Sequence, residues 1–155
     1  QNKIESVILR SSAIVGPETR FGAFKDLYEK LKNNNGEIEA FGWTDGSTKQ
    51  YLHVDDLCSF IIYILRNPKS FNDDIFNVTT RGQSSIGDMI TIINHLLNPD
   101  QKVKIKWNCK TSPTDNQLLL MNTDKLKNTT NWQPHCTTSN MAIMAATQDK
   151  IMLEK

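Results

Sequence analysis

The segment Lys49-Gln50-Tyr51-Leu52-His53-Val54-Asp55-Asp56-Leu57 holds the densest run of chemically capable side chains in this 155-residue sequence. A cation, an aromatic, an imidazole and two adjacent carboxylates follow one another. Such a set could bind an anion, or orient a polyhydroxylated molecule beside a helix start. Tyr51 and His53 are two positions apart and share one face of any strand. They either approach a ligand's base or phosphate, or they pack into a core. Asp55 is the candidate N-cap, and Asp56 complements a positive helix end. Lys49 is either an anion ligand or an ordinary exposed lysine near a turn. Asn77, between Phe76 and Val78, is costly to bury alone, so it needs a ligand or a backbone partner.

No residue set completes a catalytic device. The sequence shows no Ser/His/Asp, metal or phosphate-loop constellation. His95 and His135 are isolated and read as satisfied histidines, and Trp107 and Trp132 as core or edge aromatics. Cys58, Cys109 and Cys136 are widely spaced without a CxxC, which indicates neither zinc nor a disulfide framework. A reducing compartment follows as the expectation, and with it a cytoplasmic location. Cys58 is expected to be a buried thiol within an apolar helix. The net charge is +1, from 18 Lys+Arg and 17 Asp+Glu, which argues against nucleic acid and anionic membranes as partners. The apolar run 60–65 is far short of the ~20 residues that span a bilayer. Residues 1–5 lack the apolar core of a signal peptide and an initiator Met, so a processed or excised chain is expected.

These residues need elements to position them. Residues 6–10 read as a buried strand of a parallel sheet, and Gly16-Pro17 as a loop. Phe24, Leu27, Tyr28 and Leu31 follow helical spacing, and Asn33-Asn34-Asn35-Gly36 ends that helix. Residues 38–41 and 50–54 read as strands. Leu57, Phe60, Ile61, Ile64 and Leu65 give the next helix one apolar face, stopped by Asn67-Pro68. Residues 75–78 form a further strand. Ser85-x-x-Asp88 has the form of a capping box before Ile86, Ile90, Ile93 and Leu97. Residues 103–107 alternate as a strand, residues 108–124 are mostly irregular with an apolar stretch at 118–121, and a last helix starts near Ser139. Strands alternate with helices without a composition break, so the class is α/β in a single unit, 1–155.

The ordered set resembles the C-terminal half of the extended short-chain dehydrogenase/reductases, the nucleotide-sugar epimerase/dehydratase/reductase family. Residues 8–17 are similar to its strand vvlRxxNvyGP, and residues 49–57 to RxYxHVxDL. Phe76-Asn77-Val78 matches YNvg, and Ser85-Ile86-x-Asp88 the sxxel opening of the next helix. Thr123-Asp124-Lys125-Leu126 with Asn131-Trp132-Gln133-Pro134 is similar to DxSKaxxxLGWxP. Five motifs in order cover nearly the whole chain. The resemblance implies the C-terminal portion of an NAD(P)-binding Rossmann-type fold, with one or two strands of the doubly wound sheet and a small mixed α/β substrate-binding subdomain. The dinucleotide-binding N-terminal half is absent from the sequence.

In that family the Rossmann half holds NAD or NADP on a glycine-rich turn and supplies a Tyr-x-x-x-Lys pair. The C-terminal half closes over a nucleotide-diphosphate sugar. Neither TGxxGxxG nor Tyr-x-x-x-Lys occurs here, so no catalytic residue is assigned, and tight NAD(P) binding by this segment alone is not expected. Hydride transfer at a sugar carbon, leading to epimerisation, dehydration or reduction, is implied for the intact protein, and a homodimer is left open. By the same resemblance, Lys49 stands at an Arg that holds the diphosphate, Tyr51 and His53 near the nucleotide, and Asn77 at an Asn that contacts it. Ser112 takes the place of a second diphosphate Arg, with Lys110 as its substitute. Ser11, Ser12 and Ala13 lie where the strand passes nicotinamide and sugar, Ala13 replacing a frequent Asn. Arg10 is expected in a structural ion pair, and Gly16, Asp55 and Asp56 as structural residues. Two alternatives stay open: a non-catalytic binding or regulatory protein, and a reductase of a non-sugar carbonyl substrate.

Overall fold

Parallel strand pairing organises the chain, and each crossover is a helix or a long connection. The structure is a computed structural model that describes residues 5–17, 19–42, 48–71, 73–108 and 120–153, with side chains to residue 145. Its elements are β1 (Val7–Ser11), β2 (Ala13–Val15), α1 (Ala23–Lys32), β3 (Glu37–Phe41), β4 (Thr48–Lys49), β5 (Tyr51–His53), α2 (Val54–Arg66), β6 (Asp74–Val78), β7 (Ser84–Ser85), α3 (Ile86–Leu97), β8 (Lys104–Asn108), α4 (Asp124–Thr129) and α5 (Thr138–Leu153). β1 lies parallel to β6, β2 to β5, and β3 to β8, while β4 and β7 are antiparallel. Ser12 is where the run 7–15 changes partner. Before it the chain pairs with β6, and after it with β5. The Ser12 N–H donates to the Val78 carbonyl at 3.2 Å, and its hydroxyl is hydrogen-bonded to Thr79 Oγ1 at 2.8 Å.

Two cores result. One joins Phe24, Leu27 and Leu31 of α1 with Met89, Ile90 and Ile93 of α3 and Met141 of α5. The other gathers Phe60 and Ile64 of α2, Phe71, Phe76 and Val78, and Trp132. β5 is shared between them, because successive strand side chains point to opposite faces. Tyr51 enters the first core and Leu52 the second. Truncating a fully buried leucine such as Leu52 to alanine costs about 2–5 kcal/mol.

Local sequence explains the helix ends. α1 follows Gly22, whose φ of 102° suits glycine. α3 begins with a complete capping box: Asp88 N–H donates to Ser85 Oγ, and Ser85 N–H to Asp88 Oδ2, each at 3.0 Å.

The structure corrects several expectations. The expected strand 50–54 is broken: β5 ends at His53, Val54 opens α2, and Gln50 separates β4 from β5. β1 is parallel, as expected, but it is not buried on both faces. Leu9 and Phe76 face the second core, whereas Ile8 is 54% and Ile75 38% exposed. No layer of described residues covers that side. α2 likewise buries Phe60 and Ile64 but leaves Ile61, Leu65 and Cys58 exposed. α4, a single short helix, falls within no element expected from the sequence. Of the expected apolar stretch 118–121, Leu118 and Leu119 lie outside the described residues, while Leu120 and Met121 are described without regular secondary structure.

Candidate functional site

The Lys49–Leu57 segment becomes β4, β5 and the first turn of α2, and each bond in it follows from local chemistry. Lys49 is half-buried and opposite Ser84 of β7, with Thr48 opposite Ser85, so the lysine stands one pair away from the N-cap of α3. Tyr51 is buried. Its ring meets Phe24 edge-on at 4.7 Å, and burial raises its phenol from 10.0 to about 12. The phenol therefore remains neutral throughout the physiological range.

His53, not Asp55, caps α2. Its Nδ1 accepts the Asp55 N–H at 3.3 Å, which places the proton on Nε2. The imidazole reaches the second N–H of the helix much as an aspartate would, so the helix starts two residues earlier than a cap at Asp55 would place it. His53 Nε2 is buried with no hydrogen-bond partner among the described residues. Asp55 is exposed, its Oδ2 3.6 Å from His53 Nδ1. Asp56 is buried and accepts the N–H groups of His135 at 2.8 Å and Cys136 at 3.0 Å. This carboxylate ties the start of α2 to the segment entering α5. Burial first, then Asp56 and Asp55, push the Cys136 thiol above its ordinary range.

Other candidates disperse or cluster as the fold dictates. Asn77 has a backbone partner: its Nδ2 donates to the Asn122 carbonyl at 2.9 Å. Ser11 and Ala13 are exposed on either side of the half-buried Ser12 at the partner change. Arg10, expected in an ion pair, makes none among the described residues. It sits beside Asn77 on the face of the β1–β6 pair that exposes Ile8 and Ile75. Gly16 is required by close approach, since a Cβ there would lie 2.4 Å from Val54 Cγ1. Lys110 and Ser112 lie outside the described residues.

Sequence reasoning passed over two residues here. Ser84 is the cross-strand partner of Lys49, and only a long-range register reveals it. Gln50 bridges two loops, its Nε2 donating to the Gly82 carbonyl at 3.4 Å and its Oε1 accepting the Met121 N–H at 2.8 Å. Its position at the break between two strands is the one local signal.

Chemically, the arrangement offers a cation beside a helix start, and a change of strand partner at Ser12. Ligands of open α/β sheets settle outside the carboxyl ends of strands where the order changes. A dinucleotide does not fit the described residues alone. The sequence has no glycine-rich βα turn, and the Ser12 hydroxyl is already engaged with Thr79. Among the described residues no group of three or more His, Cys, Asp or Glu could hold a metal ion. Nor is any described helix long and apolar enough to cross a membrane.

Fold and site together define part of a Rossmann-like α/β protein, and comparison with known proteins gives the family. The model of the NAD dependent epimerase/dehydratase family matches residues 1–79, just over half of the 155. The chain belongs to that family. No curated protein matches it in sequence. Among solved structures it is similar to RMD from Pseudomonas aeruginosa complexed with NADPH, with TM-score 0.75 and 13% identity over 94% of this chain and 48% of that one. It is also similar to UDP-glucuronic acid 4-epimerase from Bacillus cereus, in complex with UDP-glucuronic acid and NAD, with TM-score 0.74 and 22% identity over 96% and 46%. A third is dTDP-glucose 4,6-dehydratase from Bacillus anthracis in complex with NAD, with TM-score 0.73 and 21% identity over 96% and 45%. The chain thus spans about half the length of the structures it matches.

Proposed function

We propose that this chain is the substrate-side half of an NAD(P)-dependent enzyme acting on a nucleotide-activated sugar. The observation that carries this reading is the partner change at Ser12. It lies at the carboxyl ends of the parallel pair β1–β6, with the exposed Ser11 and Ala13 on either side, and β4 brings Lys49 beside the N-cap of α3. In this reading Lys49 attracts the diphosphate as a point charge, without the bidentate fork of an arginine. Tyr51 and His53 hold the strand and helix that carry it, and Asn77 holds the neighbouring loop. NAD or NADP, when bound by a dinucleotide-binding half, would supply hydride chemistry; this chain's residues bind and orient the substrate. The exposed apolar positions Ile8 and Ile75, and the edge of β1 that has no strand partner among the described residues, are where that half would pack.

Calorimetric titration with UDP-glucose and dTDP-glucose tests the reading, on the chain joined to such a half. Lys49→Gln should weaken binding about ten- to a hundredfold, since a hydrogen bond to a charged group is worth about 1.5–3 kcal/mol. Lys49→Arg should preserve or strengthen it. Absence of binding by any nucleotide-diphosphate sugar, with turnover of small carbonyl compounds instead, would sink it. Binding without cofactor-dependent turnover would favour a non-catalytic protein, to which Ala13 and Lys49 lend support as departures from the family pattern.

A further inference from the structure

A groove of about 640 Å³ lies beyond the carboxyl end of β6, on the side of β5 opposite Tyr51. Gln50 and Trp132 line it, and Trp132 shares its core with Leu52, not Tyr51. Lys49, Tyr51 and His53 do not line it, so it adjoins the site described above, through Gln50 and Thr79, without including those three residues. Its volume falls within the ~300–1,000 Å³ typical of small-molecule pockets.

The walls are braced from both sides. One wall is the turn Thr79–Gly82, and the other is the segment from Leu120 to Lys127. The Gln50 amide spans them, bonding the Gly82 carbonyl and the Met121 N–H. Asn77 holds the second wall again through the Asn122 carbonyl. The backbone of Arg81 is fixed by a parallel bridge to Thr137. The groove is therefore preformed, which lowers the ordering cost of binding.

Its chemistry is two-sided. Leu120, 52% exposed, together with Leu126, Trp132 and Pro134, supplies apolar surface. Two cations line it: Arg81, whose guanidinium has no partner among the described residues, and Lys127, whose Nζ is 3.6 Å from Asp124 Oδ1. Among the described residues Asp124 is the one lining anion, so one positive charge is left over among them. A planar guanidinium on a fixed backbone suits a carboxylate or phosphate in bidentate contact.

We infer that this groove binds a small organic anion: an apolar ring-sized body carrying one carboxylate or phosphate, with Arg81 as the anion ligand. Amide-resolved NMR titration of the isotope-labelled chain tests it, using phenyl phosphate, benzoate, inorganic phosphate and phenol as probes. Phenyl phosphate or benzoate should shift the amides of Thr79–Gly82 and Met121–Asp124, and whichever binds more tightly identifies the anion. Arg81→Gln should weaken that binding at least tenfold, and Lys49→Gln should leave it unchanged. Because Arg81 is exposed, its substitution leaves the fold intact, which the undisturbed spectrum of the variant verifies. Shifts confined to other residues, or equal affinity for phenol or inorganic phosphate, would overturn the inference. An Arg81→Gln variant that binds as tightly as the parent would overturn it too. Since Lys49 reports on the proposed diphosphate site and Arg81 on the groove, failure of one reading is distinguishable from failure of the other.

Discussion

Tyr51 illustrates how one residue can look like a ligand contact in sequence and serve packing in the fold. Its ring lies against Phe24 within the core of α1, α3 and α5, and its carbonyl accepts the Thr80 N–H at 3.0 Å. Desolvation raises the phenol to about 12, above the ordinary value near 10 of an unfolded chain. The folded state thus holds this proton more tightly than the unfolded state does. Its contribution is complete below pH ~10 and is lost as the pH rises through about 12, a total of about 2–3 kcal/mol. Spectrophotometric titration of the phenolates should show one Tyr ionising near this limit and absent in Tyr51→Phe. A Tyr51 that ionises near pH 10 with the fold intact would contradict its burial.

At the scale of elements, the junction of β5 and α2 is held by His53, which the sequence leaves open between a ligand contact and core packing, and by Asp56, which it marks as structural. His53 caps the helix, and Asp56 receives two N–H groups from a segment 79 and 80 residues away. Replacing Asp56 with Ala leaves two N–H groups without their acceptor, at about 1–3 kcal/mol each when buried. Urea unfolding should register a loss of about 2–4 kcal/mol. Ser85→Ala, which removes only a cap at a more exposed helix start, should cost about 1 kcal/mol. If the two losses were equal, the tether from Asp56 to His135 and Cys136 would not hold in solution. The capping box itself was readable because its partners are three residues apart. The Asp56 tether was not, since nothing local announces an acceptor for residues so distant.

The whole molecule presents apolar surface on two elements. Ile8 and Ile75 are neighbours on one face of the β1–β6 pair, and α2 exposes Ile61, Ile62 and Leu65 on a stripe of helical spacing. β1 has β6 as its sole strand partner among the described residues. An open strand edge beside exposed apolar side chains favours self-association. The chain alone should therefore run as concentration-dependent oligomers in light scattering. The double variant Ile8→Thr with Ile75→Thr should shift it toward monomer while keeping its circular-dichroism spectrum. Monomeric behaviour of the parent chain at high concentration would contradict this account of the surface.

What the sequence determined by itself is the order of the longer strands and helices, the α/β class, and the family through its five ordered motifs. Those features rest on periodicity, caps and turn residues, which act over a few positions and are written locally. The uncovered face of β1, the exposure of Ile61, Leu65 and Cys58, and the capping by His53 belong to the tertiary structure. So do the pairing of Lys49 with Ser84 and the groove braced by Gln50. An apolar residue reads the same whether or not another layer lies over it, and a polar residue reads the same whichever distant group it meets. Only the folded chain decides which faces are covered and which side chains are brought together.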